Sequence, residues 1–335
     1  MKQFSICALS GCCALLLVIQ LCHADSKSPK WAATNVKQAG PDYEKQGEYS
    51  GIIGEGDESL KYGVQVIALG EGEFEAVGYP GGLPGDGAKL DEKVTVKGES
   101  RGGVISFVSE QGRGDLGDEE MTLFDLDGNE VGVLDKVYRK SPTLGKKAPA
   151  GATVLFDSDQ AEQTVKNFEN GRITEDGLLK EGTTSKKKFK DGRLHLEFQL
   201  PFMPQARGQA RSNSGCYVLG RYEVQILDSF GLEGKDNECG GIYKLGAPSV
   251  NMCFPPLAWQ TYDIDFQSAQ YDKAGNKTAN ARITVKHNGV IVQDDKEIEE
   301  PTPGGTNKDE SIAGPLFLQD HSNPVRFRNI WVQEK

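Results

Sequence analysis

The sequence predicts an all-β protein, and three features predict it. Short runs alternate apolar and polar residues at a period of two. Most of the 41 glycines stand between those runs, where tight turns need a positive φ. No stretch repeats its apolar residues at a convincing helical period. The 335 residues suffice for two modest domains after removal of a leader, and 37% hydrophobic residues allow packed cores under a polar surface.

Residues 1–24 read as an export signal, with Lys2 at the start, an apolar stretch over 4–21 and small residues at both ends of Cys22-His23-Ala24. Cleavage after Ala24 delivers a secreted or periplasmic protein. Two alternatives stay open: Leu9-Ser10-Gly11-Cys12 has the form of a lipoprotein box after a very short apolar stretch, and about 18 apolar residues can nearly span a bilayer as an uncut N-terminal anchor. Residues 25–48 are polar and aperiodic, and read as a linker.

Residues 49–137 form a small β meander or barrel-like domain of unknown role, with strands over 62–69, 74–79, 94–96, 104–108, 121–124 and 130–134. The Gly- and Pro-rich loop 79–87 reads as an exposed structural turn. Residues 138–150, rich in Lys, Pro and Gly, read as a second linker. Residues 151–333 form the second domain. Its strands fall at 152–156, 194–200, 222–227, 259–266, 281–287, 290–292 and 325–332, and Asn288-Gly289 is a strong hairpin signal. That many strands without a helix argue for a sandwich.

A net charge of -11 without a basic stripe excludes nucleic acid as a partner and disfavours an anionic membrane surface, while a neutral sugar stays compatible. Four of the seven cysteines lie in the leader. Under oxidising conditions Cys239 and Cys253, which flank a short segment near prolines, are expected to pair, with Cys216 free inside a strand; three buried thiols are the alternative. There is no CxxC pair, P-loop, dinucleotide fingerprint, HExxH or GxSxG, so no cofactor is implied.

Residues 213–230 are the most informative. On a regular strand Glu223, Gln225 and Leu227 share a face, and a bulge near Ile226 would bring Asp228 onto it instead. Paired carboxylates, one protonated and one ionised, are what glycosidic chemistry uses, although a solvated strand face shows the same alternation. Residues 319–329 form a second cluster, with His321 beside Asp320 as a general base, a hydrogen-bond donor or a merely solvated loop histidine, and Arg326 and Arg328 on one face opposite Phe327. His287 at the hairpin reads as structural, and His195, near Lys190 and Arg193, as a surface residue. Asp263 and Asp265 share a face and could hold a divalent cation with Glu238 or Asp236, without any EF-hand spacing. Trp259, Tyr217, Tyr222 and Tyr243 could stack on a sugar ring or fill a core.

Six runs in this order, Asn213-Ser-Gly215, 222–228 (YEVQILD), 259–264 (WQTYDI), His287-Asn-Gly-Val290, 314–321 (GPLFLQDH) and 325–331 (VRFRNIW), resemble the 3-keto-disaccharide hydrolase family. The likeness covers a little over half the chain. Cys216 replaces a usual aliphatic residue, and the Gly-Trp pair that often opens the domain is missing. Residues 49–137 lie outside it and resemble a companion module of some exported members. The resemblance implies a concanavalin A-like jelly-roll β-sandwich, and an oligosaccharide or glycoside substrate already oxidised to a ketone at carbon 3. A site for such cleavage needs a base, an acid and a positive group near an enolate oxygen. To these needs this sequence offers Glu223 or His321 as base, Asp228 as acid, Arg326 or Arg211 as electrostatic stabiliser, and Asn213 and Gln225 to orient hydroxyls, an assignment made from the residues and not from the family. A carbohydrate-binding module without catalysis and an envelope structural or interaction protein are the rival functions, since fold alone does not fix activity.

Overall fold

The structure, a computed structural model, describes residues 30–101 and 104–335. The export signal expected over residues 1–24 lies outside the described residues. Among the described residues no helix is long and apolar enough to cross a membrane.

Alternation at a period of two builds two β bodies. In the first, β1 (Gly47–Ile53), β2 (Leu60–Gly70), β3 (Glu73–Pro80), β4 (Val94–Arg101), β5 (Val104–Ser109), β6 (Gly112–Leu116), β7 (Glu120–Phe124) and β8 (Glu130–Val137) follow one another as an antiparallel closed barrel. Pairing of Glu48 with Val137, Tyr49 with Lys136 and Ser50 with Asp135 closes the ring and removes its free edges. Tyr49, Val66, Phe74, Phe107, Leu116 and Leu134 belong to its buried core. Neither β1 nor β6, whose Gly-Arg-Gly-Asp-Leu has a single apolar side chain, is expected from the sequence, and closure depends on both.

The second body holds β9 (Thr153–Phe156), β10 (Phe168–Glu169), β11 (Leu179–Lys180), β12 (Thr183–Phe189), β13 (Gly192–Gln199), β14 (Ser214–Val218), β15 (Tyr222–Ile226), β16 (Trp259–Gln267), β17 (Gln270–Tyr271), β18 (Lys277–Ala279), β19 (Ala281–His287), β20 (Val290–Ile298), β21 (Gly314–Leu318) and β22 (Arg326–Glu334). One sheet runs β10-β12-β21-β14-β15. The other runs β11-β22-β13-β16-β19-β20, with β9 beside β22, and β17 and β18 form a separate ribbon. Cys216, Val218, Val224 and Leu316 from the first sheet share one buried cluster with Leu194, Phe198, Ile264 and Val285 from the second. The alternate residues therefore face outward on both sheets. His287 pairs with Val290 across Asn288 and Gly289, whose φ values of 50° and 85° make the expected two-residue hairpin.

The two bodies are welded rather than tethered. Ile67, Val77 and Tyr79, on the outer face of β2 and β3, join the core of the two-sheet body. Phe202 and Leu257 join the core of the barrel. Residues 30–48 of the first segment read as a linker, and the whole of the second, are packed. Ala33 exchanges backbone hydrogen bonds of 3.0 and 2.8 Å with Phe202, ahead of two short helices, Val36–Ala39 and Pro41–Lys45. In the segment 138–150, Ser141 Oγ lies 2.6 Å from Thr261 Oγ1, Thr143 Oγ1 donates to Asp263 Oδ2 (2.6 Å), and Gly145 N–H donates to Glu197 Oε1 (2.5 Å). These anchors are polar, so apolar periodicity could not show them.

The expected Cys239–Cys253 disulfide is corrected: Cys216, Cys239 and Cys253 are three buried free thiols. The Cys239 sulfur makes a 3.1 Å contact with Tyr262 Oη, the Cys253 thiol donates to the Leu227 carbonyl (3.5 Å), and the two thiols also interact with each other as buried neighbours.

Candidate active site

β14 and β15 form a hairpin in which Tyr217 pairs with Glu223 and Gly215 with Gln225. Cys216, Val218, Val224 and Ile226 point into the core, which sends Gly215, Tyr217, Glu223 and Gln225 to the outer face. Gln319 and His321 follow β21, Gln209 comes from a short turn, and Pro303 and Gly304 from a loop. Together they line one depression of about 210 Å³ with Asn213, Tyr217, Glu223, Gln225 and Tyr243. The acidic strand and the imidazole segment, far apart in sequence, therefore border a common groove.

Glu223 sits at the floor, only 2% exposed. Burial pushes its carboxyl up to about 7, against a hydrogen bond from Tyr217 that favours the ionised form. Tyr217 Oη donates to Glu223 Oε2 (2.7 Å). Oε1 lies over Gly215, where a Cβ would sit 2.3 Å from it, so the absent side chain makes room for the carboxylate. Gly304, at φ 84°, does the same for the Tyr217 hydroxyl, which a Cβ would meet at 2.5 Å.

Asn213 donates its amide to Gln209 O (2.8 Å) and Gln209 Oε1 (3.2 Å), which orients the group. Its Oδ1 is buried with no partner among the described residues. Gln225 is committed on both sides, donating to Gln209 Oε1 (3.2 Å) and accepting from Ile226 N–H (2.9 Å). His321 is exposed at the rim. Asp320 accepts from the Ser322 N–H (2.7 Å) in its own turn.

Three expected site residues lie elsewhere. Asp228 falls past the end of β15 and accepts from Arg211 Nε at 2.6 Å, a buried pair whose Nη2 reaches the barrel carbonyl of Ala68 (3.5 Å). The expected bulge near Ile226 does not occur, and the strand simply ends there. Asp228 and Arg211 tie the two bodies together, so neither serves the depression. Arg326 lies on the other sheet and donates to Glu181 Oε2 (2.9 Å). The parts that sequence reasoning missed are Gln209, Gln319 and the pairing of Tyr217 with Glu223. The register across residues 219–221 carried a signal only for the last of these.

The outer face of the other sheet holds a second titratable cluster. His195 is buried, not on the surface as expected, with Nδ1 3.0 Å from Asp263 Oδ1 and Nε2 3.8 Å from Glu197 Oε1. Burial disfavours its charge, but the two carboxylates outweigh burial and raise its pKa. Burial likewise opposes ionisation of Glu197, yet His195, Asn329, the Gly145 N–H and Arg328 bring its carboxyl down to about 2. Asp263 is thus engaged by His195 and Thr143, Asp265 pairs with Arg193, and Glu238 caps the Gly234 and Lys235 N–H groups, so the carboxylates considered for a cation do not converge.

No curated protein matches the chain. Three solved structures of candidate glycosyl hydrolases from Parabacteroides distasonis are similar to it. One is 30% identical, covering 56% of this chain and 86% of that one with a TM-score of 0.49. The second is 20% identical, covering 55% and 99% with a TM-score of 0.39. The third is 15% identical, covering 58% and 92% with a TM-score of 0.35. The model of the 3-keto-alpha-glucoside-1,2-lyase-like domain matches residues 151–333, the whole two-sheet body that carries Glu223, Asn213 and His321. By that match the chain belongs to the 3-keto-alpha-glucoside-1,2-lyase-like domain family.

Proposed function

We propose that this is an exported enzyme that cleaves 3-keto-glycosides at the glycosidic bond, in the depression around Glu223, and that the two-sheet body is a concanavalin-like jelly roll. The observation that carries the reading is a buried carboxyl with its pKa near 7, facing a small polar depression with an imidazole at its rim. A ketone at carbon 3 acidifies the proton at carbon 2. Glu223 Oε1 takes that proton, and the electron pair passes through an enolate to form the carbon 1–carbon 2 double bond. The bond from carbon 1 to the leaving oxygen breaks, and that oxygen receives a proton from His321. Water added across the double bond completes a net hydrolysis.

A base with a pKa near the working pH combines availability with proton affinity, which is what elevation by burial achieves here. Tyr217 is a positioning residue: its bond to Oε2 leaves Oε1 for the substrate. Asn213, which lines the depression, orients a sugar hydroxyl. With Arg326 and Arg211 engaged elsewhere, the enolate oxygen takes its hydrogen bonds from Gln319 and Tyr243, which line the same depression.

A chromogenic 3-keto-glucoside and its unoxidised parent test the reading. Release of the aglycone is expected from the ketone alone, and Glu223→Gln should slow it by roughly 10²–10⁴-fold. An unchanged rate in that variant, or equal release from both compounds, overturns the proposal.

A further inference from the structure

Three depressions lie end to end on the side of the molecule away from Glu223. The first, about 670 Å³, opens where the barrel meets the two-sheet body and is lined by Tyr43, Tyr138 and Trp259 among others. The second, about 440 Å³, shares Val36 and Trp259 with the first and extends to Arg328. The third, about 500 Å³, shares Ser158, Asp159 and Arg328 with the second and ends at Trp331. Their shared walls make one trough along the outer face of the sheet that carries β13, β16 and β22. Glu223 leaves the outer face of the opposite sheet, and no residue lines both sites.

The middle of the trough is a built structure. The Arg328 guanidinium lies 3.9 Å from the centroid of the Trp259 ring, and the buried Glu197 accepts from its Nε (2.7 Å). That bond and the ring contact hold the guanidinium in a fixed position. Tyr138 adds a ring that is 71% exposed at the wide end.

The charges along the walls are largely self-neutralised: Arg139 pairs with Glu48 at 2.5 Å, Lys45 with Asp118 at 2.6 Å, and Arg328 with Glu197 at 2.7 Å. A polyanion finds no cationic excess there, in a chain whose net charge is -11. What the trough offers is the exposed Tyr138 ring and the half-buried Trp259 ring backed by Arg328, with polar donors and acceptors beside them. A chain of neutral sugar rings fits that chemistry, because each ring presents a C–H face to an aromatic ring and hydroxyls to its flanks.

We propose that this trough binds an extended neutral oligosaccharide and holds the protein on a glycan, independently of any reaction at Glu223. The test is calorimetric titration of the full chain, as the parent and as Glu223→Gln, with neutral hexasaccharides of α-glucan, β-glucan and xylan and with hexagalacturonate. The expected result is saturable binding of at least one neutral hexasaccharide. That binding should weaken at least tenfold in Trp259→Ala and in Tyr138→Ala and stay unchanged in Glu223→Gln. Should Trp259→Ala fail to fold, the exposed Tyr138→Ala keeps the test decisive. Absence of binding by all three neutral hexasaccharides, preference for hexagalacturonate, or binding lost in Glu223→Gln but kept in Tyr138→Ala overturns the proposal. Binding is read without a 3-keto substrate, so its failure is separate from failure of the proposed reaction.

Discussion

Glu223 is under two opposed demands. Its folded pKa of about 7 lies above its ordinary value of 4.5, so the stability linked to its proton is complete below about pH 4.5 and is lost as pH rises through 7. Activity by an ionised base runs the other way, with kcat/KM rising as pH is raised towards 7. Glu223→Gln keeps the shape and removes the buried charge. It should melt higher than the parent at pH 8, by on the order of 1–3 kcal/mol, with little difference at pH 4.5. Thermal melts of both proteins at the two pH values check this. His287 shows the converse case: complete burial brings its imidazole down to about 3, so it stays neutral and its contribution is present above pH 6.5 and lost as pH falls below that. His287→Gln should therefore lose less stability than the parent between pH 6.5 and 4.5, which denaturant titrations at those two pH values would read.

The hairpin of β14 and β15 is the element that assembles the site. Alternation places Glu223 and Tyr217 outward as cross-strand partners, and Gly215 leaves the space the carboxylate occupies. Gly215→Ala puts a methyl 2.3 Å from Oε1, so either the carboxylate or the strand must move. Most of the activity on a 3-keto-glucoside should disappear while the far-ultraviolet circular dichroism spectrum stays that of the parent. Parental activity in this variant would show that Oε1 need not lie where the structure has it. Glu223 and its face were legible in the sequence because a period of two is a local property. The departure of Asp228 was not, because where β15 ends depends on Arg211 and on the barrel behind it.

At the scale of the molecule, the barrel and the two-sheet body share their cores. Phe202 is fully buried in the barrel cluster, and Ile67 and Tyr79 of the barrel are buried in the other. Phe202→Ala should cost about 3–5 kcal/mol. If the two bodies unfold as one unit, both the parent and this variant will show a single calorimetric transition. Two resolved transitions, with only the barrel shifted, would show that the shared core does not couple them.

Backbone periodicity, glycine turns and the Asn288-Gly289 hairpin are properties of neighbouring residues, so the sequence by itself determined the all-β class, most strand positions and the outward face of Glu223. It also carried the family runs that brought Asn213, Glu223 and His321 to attention. Closure of the barrel, the packing of residues 30–48 and 138–150, the free state of Cys239 and Cys253, and the diversion of Asp228, Arg211 and Arg326 away from the depression were decided only in three dimensions. Each of these depends on which distant polar group or core surface is close enough to compete for a side chain, and spacing along the chain carries no record of that.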